Sequence, residues 1–278
     1  MATYIVVAGA GGVGSSTVAA LRAGGHRVIA TVLNEAEDTA VRKADDSVET
    51  LRIDLSDPQA VRTVLARQID QLDTLDGVAV CGAIAPLGPL ESADLETARR
   101  VFDVNVLSDL AIYQAALPAL RKSKGRLVMV SSMSGKASMA FVGVYSSSKF
   151  ALEGLGDAMR REATPQGVSI SLVLPGGVKT PMVDAQLRDN AAAIESLSAE
   201  EDARYGSLYR GFQAAAKASH EGTASPPEAV AEAIVEALTS EDPQPRYLVG
   251  DDAGQLVGAA GSLSDRDMDA MFAQMFAG

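Results

Sequence analysis

Short apolar runs punctuate this chain, and each ends in a turn-forming or polar stretch. Thr3 to Ala8 (TYIVVA), Arg27 to Leu33 (RVIATVL), Val48 to Ile53, Gly77 to Cys81, Leu127 to Val130, Val168 to Leu174 (VSISLVL) and Arg246 to Val249 read as strands. Most runs are nearly continuous in their apolar character, as strands buried on both faces of a parallel sheet are. Between them lie segments with helical spacing. Ser15 to Leu21 is one, and Asp57 to Ile69 is another, opened by an Asp cap and a first-turn Pro58. Asp94 to Leu120 and Pro227 to Leu238 follow, as does the segment opening at Tyr145, with Phe150, Ala151, Leu152, Leu155, Ala158 and Met159 recurring at helical spacing. Strands alternating with helices imply right-handed crossovers. The expected fold is α/β: a doubly wound, seven-stranded parallel sheet with helices on both faces.

Two segments break the alternation. Residues 182 to about 224 are helical in character and lack strand patterns. An insertion after strand six lies where it can close over a site as a substrate lid, and a purely structural helix pair is the alternative. Its apolar residues Met182, Val183, Leu187, Leu208, Tyr209 and Phe212 suit a bulky hydrophobic ligand. The tail, about 252–278, carries Met268, Met271, Phe272, Met275 and Phe276 on one helical face, a stripe that packs on the body or on another subunit. No repeat or low-complexity linker divides the chain. Residues 1–278 therefore read as one domain, although 278 residues are enough for two.

Composition narrows the function classes. Charged residues make up 22% and hydrophobic ones 47%, as in an ordinary soluble globular protein. A formal net charge of -12, without any Lys/Arg cluster, argues against nucleic acid and anionic membrane surfaces as partners. No uncharged apolar run reaches the ~18 residues that span a bilayer, and no secretory leader is evident. The single Cys81 permits no internal disulfide, which fits a reducing cytoplasm; in its apolar strand it reads as a small buried hydrophobe. His26 reads as an idle, exposed turn residue, and His220 has no evident partner. Neither has Cys or acid at ligand spacing, so no metal site is expected.

In open parallel sheets, ligands bind at the carboxyl ends of strands, near the switch in strand order. Candidate residues gather at those ends. After strand one, Gly9, Gly11, Gly12, Val13 and Gly14 form a GxGxxG turn running into a helix, where backbone N–H groups can approach a pyrophosphate. A glycine-rich turn without function is the bland alternative. The tip of strand two, Val32-Leu33-Asn34-Glu35, faces the adenosine ribose in such a fold. It holds no Arg or Lys, and Glu35, Glu37 and Asp38 repel a 2′-phosphate, so NAD is favoured over NADP. Asp54 and Leu55 follow strand three, Gly82 follows strand four, and Pro175, Gly176, Val178 and Thr180 end or follow strand six.

The densest cluster runs from Gly125 to Lys149. Ser132 closes strand five, Tyr145 comes thirteen residues later, and Lys149 four after that. On a helix, i and i+4 share a face, so an ammonium stands beside a phenol. That cation stabilises phenolate and lowers a pKa otherwise about 10. A Tyr nearer neutrality can exchange a proton with a carbonyl or alcohol oxygen, and Ser132 can hydrogen-bond the same oxygen. YxxxK alone equally suits an ordinary exposed helix; the strand-end Ser and the glycine motif tip the reading to catalysis. Asn105, within FDVNVLSDL, reads as a helix-surface polar residue.

Taken together, these motifs resemble the short-chain dehydrogenases/reductases over nearly the whole chain, nearest the hydroxysteroid and retinol dehydrogenase branch. VETLRIDLSDPQAV, PLGPLE, VFDVNVL, YSSSKFALEGL and PGGVKTPM carry the resemblance. It implies a single Rossmann-fold domain and an Asn105–Ser132–Tyr145–Lys149 tetrad. Tyr145 would be the general acid/base and Ser132 would polarise the substrate oxygen. Lys149 would hydrogen-bond the nicotinamide ribose, and Asn105 would hold a water linking Lys149 to solvent. Asp54 would contact the adenine, and Val178 and Thr180 the carboxamide and phosphate side. The implied reaction is reversible hydride transfer between NAD or NADP and a secondary alcohol or ketone, in a homodimer or homotetramer. Three departures stand out. The glycine loop reads one residue shorter than the family's TGxxxGxG. Val80-Cys81-Gly82-Ala83 replaces Asn-Asn-Ala-Gly, and Leu33 replaces the Arg that marks NADP use. A sugar-nucleotide epimerase or dehydratase shares YxxxK but carries a larger C-terminal domain. A catalytically silent NAD-binding sensor is the other alternative, and the complete tetrad argues against it.

Overall fold

The computed structural model describes residues 1–276; residues 277–278, the end of the predicted tail, lie outside the described residues. Its strands are β1 (Thr3–Val7), β2 (Arg27–Val32), β3 (Glu49–Arg52), β4 (Gly77–Val80), β5 (Arg126–Val130), β6 (Ser169–Pro175) and β7 (Arg246–Val249). They form one parallel sheet in the order β3-β2-β1-β4-β5-β6-β7. The helices are α1 (Gly12–Ala23), α2 (Glu35–Ala44), α3 (Pro58–Ile69), α4 (Leu95–Phe102), α5 (Ser108–Ser123) and α6 (Gly143–Ala163). The second half adds α7 (Pro181–Ser196), α8 (Ala199–Glu201), α9 (Ser207–Glu221), α10 (Pro227–Thr239), α11 (Asp251–Ser262) and α12 (Asp265–Met275). Among the described residues, no helix is long and apolar enough to cross a membrane.

Strand side chains alternate between the two faces. Tyr4, Val6, Val28, Ala79, Val128 and Val173 share one core with Val18 and Leu21 of α1 and with Val230 and Ile234 of α10. Ile5, Val7, Val78, Leu127, Met129 and Leu172 share the other with Leu65 of α3, Ile112 and Leu120 of α5, and Leu152 and Met159 of α6. Full burial of such a side chain contributes about 1.5–3 kcal/mol relative to exposure. The central strands, buried on both faces, therefore anchor the sheet, while β3 and β7 at its edges are half exposed.

Some local structure differs from the sequence reading. Helix α2 was not evident in the pattern because Val41 is its one buried residue. It is set instead by its cap: the Asn34 side chain accepts the Glu37 N–H, and Glu37 reaches back to accept the Leu33 N–H. The region from Asp94 to Leu120 is also not one regular helix, because a π-helical turn (Asp103–Leu107) joins α4 to α5. Asn105 lies in this turn and is 1% exposed, so it is not a helix-surface residue.

The glycine loop is not shortened. Ala8, directly after β1, adopts a φ of 57°, and its carbonyl accepts the Gly11 N–H at 3.1 Å. Counted from this left-handed residue, three residues precede Gly12-Val13-Gly14, which is the family spacing with Ala8 in place of the first glycine. A Cβ on Gly14 would collide with the Ala8 carbonyl oxygen, so the loop closes directly onto α1. An L-residue in this conformation carries roughly 1–2 kcal/mol of strain. Ala8→Gly should therefore raise the unfolding free energy by about 1 kcal/mol, read from chemical denaturation. An unchanged or lower midpoint would show that the loop holds no such strain.

Candidate active site

The strand order reverses its direction of winding between β1 and β4, which opens a crevice at their carboxyl ends. The loop after β1 delivers the N-terminus of α1 to this crevice. Its cap, Gly11, offers no side-chain acceptor, and the first turn holds no acid. The free N–H groups and the positive end of the helix dipole thus face outward together. A Cβ on Gly12 would stand 2.9 Å from Thr180 Cγ2, so the loops after β1 and β6 meet here. Gly9 sits against Ala30, and Gly82 abuts Leu55 and Ala8. Val178 is buried and bridges to Ser225, while Thr180 caps α7 by accepting the Val183 N–H. Val13 leads the first turn of α1 beside them.

Other predicted cofactor residues have structural duties. Pro175 is the last residue of β6, paired with Val249. Gly176 leaves room for the Asp252 carboxylate, which accepts the Gly177 N–H at 2.7 Å. The Asn34 side chain is committed to its cap. Asp54 is exposed at the end of β3, and its carboxyl is held below the usual range by hydrogen bonds from the Ser56 N–H and hydroxyl. Arg52 brings a guanidinium to the tip of β2, donating to the Leu33 carbonyl at 3.1 Å. The local sequence around Leu33 shows no such cation; only the pairing of Val32 with Arg52 places it there.

Ser132, Tyr145 and Lys149 converge below the crevice. Ser132 is buried, and its Oγ accepts the Ser134 N–H at 3.1 Å. Lys149 is 1% exposed; its Nζ donates to the Val130 carbonyl at 2.7 Å and lies 5.7 Å from the Tyr145 ring centre. Burial raises the Tyr145 phenol above its ordinary pKa, and its contact with the Ser132 hydroxyl only partly offsets this. The expected lowering is therefore not found. The ammonium is engaged with a backbone carbonyl, and burial dominates the phenol. Burial also lowers the Lys149 pKa, opposed first by Asp109, then by Glu153 and Cys81.

Asn105 is committed as well. Its Oδ1 accepts the Ile84 N–H at 2.9 Å, and its Nδ2 donates to the Ile84 carbonyl at 2.9 Å and to Ser148 Oγ at 3.0 Å. The side chain clamps the loop after β4 onto α6.

Several groups escaped the sequence reading. Asp109 is 2% exposed, one helical turn beyond Asn105. Burial raises its carboxyl, with Lys149 and then Ser108 pulling the other way. The buried Glu153 pairs with Lys136 at 2.7 Å and Arg246 at 2.9 Å, tying α6 to the turn after β5 and to β7. His26 is not idle, standing edge-on to Tyr4 with ring centres 5.1 Å apart. His220 has a partner after all: its Nε2 is 3.2 Å from Asp184, joining α9 to α7. Burial pushes the Cys81 thiol up to about 12, in keeping with an inert hydrophobe.

A cavity of about 580 Å³ has Met133, the residue after Ser132, in its wall together with Val178, Val183, Phe212, Met271 and Phe276 among others; Ser132, Tyr145 and Lys149 themselves do not line it. Of the lid residues singled out above, Val183 and Phe212 line it; Tyr209 stands edge-on to Phe141 at 4.4 Å, and Met182 is exposed. Met271, Met275 and Phe276 also reach the cavity, so the tail stripe packs on the body.

A family model described as short chain dehydrogenase matches residues 2–191. A 3-amino-tetrahydro-pyrrolizinone reductase from Xenorhabdus hominickii is 29% identical over 274 residues, covering 97% of this chain and 94% of that protein. Retinol dehydrogenase 7 of Rattus norvegicus is 30% identical over 258 residues, covering 90% and 81%. A short chain dehydrogenase from Burkholderia cenocepacia, solved in complex with NADP, shares the fold with a TM-score of 0.73 at 20% identity, over 99% of this chain and 97% of that one. Family match, fold and site geometry agree: the chain belongs to the short-chain dehydrogenase/reductase family of oxidoreductases.

Proposed function

We propose that this chain interconverts a ketone and a secondary alcohol with NAD or NADP, acting on a bulky hydrophobic substrate held beneath α7, α9 and α12. The observation that carries this reading is the meeting of Tyr145, Ser132 and Lys149, with Met133, the residue after Ser132, in the wall of an apolar cavity of about 580 Å³.

A dinucleotide fits the residues present. The uncapped, acid-free N-terminus of α1 suits a pyrophosphate, which backbone N–H groups from Gly12 to Gly14 would hold. Leu55 and Gly82, which abut each other, would flank the adenine with Asp54 at its rim, while Val178 and Thr180 would hold the nicotinamide end. The nicotinamide, when bound, supplies the hydride-transfer chemistry. The rest falls to the chain. The Ser132 Oγ already accepts from the Ser134 N–H, which leaves its own proton to donate to a substrate oxygen. The Tyr145 phenol, within reach of the Ser132 hydroxyl, can give its proton to the same oxygen in reduction and take it back in oxidation. Lys149 uses one donor on Val130 and retains others for the cofactor ribose. Asn105 holds the loop after β4 at the wall of the site. The Xenorhabdus hominickii relative is named as a reductase.

NAD remains the favoured cofactor. Glu35, Glu37 and Asp38 crowd the tip of β2, and of the two cations there Arg42 is paired to Asp38 at 3.0 Å while Arg52 donates to the Leu33 carbonyl. The assembly is a homodimer or homotetramer: Leu95, Phe102, Leu107 and Phe150 stand exposed on α4, the π turn and α6, an apolar area suited to a second copy.

Tyr145→Phe should reduce ketone turnover by roughly 10²–10⁴-fold while leaving cofactor binding within about twofold, followed by loss of the reduced nucleotide's near-ultraviolet absorbance. A near-native rate would remove Tyr145 from its role. Leu33→Arg should raise the ratio of kcat/KM with NADP to that with NAD about tenfold, the worth of one charge-assisted contact. An unchanged ratio would place cofactor selection elsewhere, with Arg52 the first alternative. Phe150→Glu should shift the sedimentation coefficient from oligomer toward monomer; an unaltered coefficient would mean that this face is not the contact.

A further inference from the structure

Asp109 has no place in the mechanism above. Its side chain is almost wholly buried, and among the described residues it pairs with no cation within 4.0 Å. Its one hydrogen-bond partner is the adjacent Ser108 hydroxyl, at 3.4 Å. A carboxyl group in such a place is unfavourable unless a charge nearby compensates it. That charge is Lys149. Asp109 follows Asn105 by one helical turn on the same buried side of its helix, and the Asn105 amide bonds Ser148, the residue before Lys149. That bond sets the buried segments of Asp109 and Lys149 side by side, and each residue is the largest charge opposing the burial of the other. The other groups facing Lys149 do not replace it. Glu153 is shared between Lys136 and Arg246, Cys81 carries a neutral thiol, and Tyr145 a neutral phenol. On α3, packed against α5, Arg62 is turned to Gln114.

We propose that Asp109 is a positioning residue for the cofactor site, whose buried carboxylate holds Lys149 as an ammonium ion in a pocket that otherwise disfavours the charge. The proposal rests on the reading that Lys149 binds the cofactor ribose. Ammonium is the stronger donor to the ribose hydroxyls, and it persists to higher pH where Asp109, whose carboxyl burial raises to about 7, is ionised.

The test is the ionisation of Lys149 itself, followed by ¹³C NMR of lysine-labelled protein without cofactor. Lys149→Arg identifies the resonance. Asp109→Asn should lower the Lys149 pKa by about one unit or more, and Asp109→Glu should restore part of it. In parallel, the pH above which NADH affinity weakens should move down by a similar amount in Asp109→Asn, measured by fluorescence titration. Asp109→Ser, smaller and also uncharged, should behave alike and serves if the Asn variant does not fold. A Lys149 titration unmoved by either neutral variant would overturn the proposal, as would an affinity loss equal at every pH. Should wild-type protein turn over no ketone or alcohol at all, the oxidoreductase reading fails, while the NMR titration still decides the Asp109–Lys149 coupling.

Discussion

Pairing of β1 with β4 is the constraint on which the rest of this molecule depends. The chain first lays β2 and β3 outward on one side of β1, then crosses to put β4 against its other edge and builds β5, β6 and β7 beyond. Every strand is parallel, so all carboxyl ends rise on one side, and the loops after β1 and β4 must part there. Two cores of Val, Ile and Leu lock this arrangement from both faces. The glycine loop, the Leu55–Gly82 contact and the segment from Val178 to Thr180 are brought together by strand order alone.

Below that crevice, the site is built from groups that a protein interior resists. Lys149 and Asp109 are almost fully buried, and burial pushes each toward its neutral form. Such charges seldom add stability. They are tolerated because neighbouring elements fix them. Asn105 staples the loop after β4 to α6 from a widened π turn, and Glu153 ties α6 to β7 through Arg246. Side-chain positions are thereby set before any ligand arrives. Helices α7, α9 and α12 then cover the adjoining apolar cavity.

Much of this was legible in the chain itself. Continuous apolar runs mark strands that are buried on both faces, and all seven appear within a residue or two of where they read. Tyr145 and Lys149 are one helical turn apart, a spacing that survives any detail of packing. What escaped depends on contacts between distant segments. Arg52 reaches Leu33 only because β2 and β3 pair in one register. His220 meets Asp184 across two lid helices, and Glu153 meets Arg246 across the sheet edge. Helix α2 shows one buried residue and so no periodic signal. Asp109 sits in a segment whose apolar neighbours disguise a buried acid. The pKa of Tyr145 moved opposite to expectation because local spacing reveals the nearby cation but not the depth of burial.

Direct transfer of hydrogen to the substrate carbon, with Tyr145 and Ser132 holding its oxygen and Lys149 the cofactor ribose, is the central claim. It is tested by supplying a bulky ketone with reduced nucleotide deuterated at the nicotinamide C4 and analysing the product by mass spectrometry and NMR. The account predicts deuterium on the carbinol carbon, in one stereochemical sense. An alcohol formed without the label on that carbon, or tight nucleotide binding with no alcohol formed from any ketone or ketone from any alcohol, would contradict it.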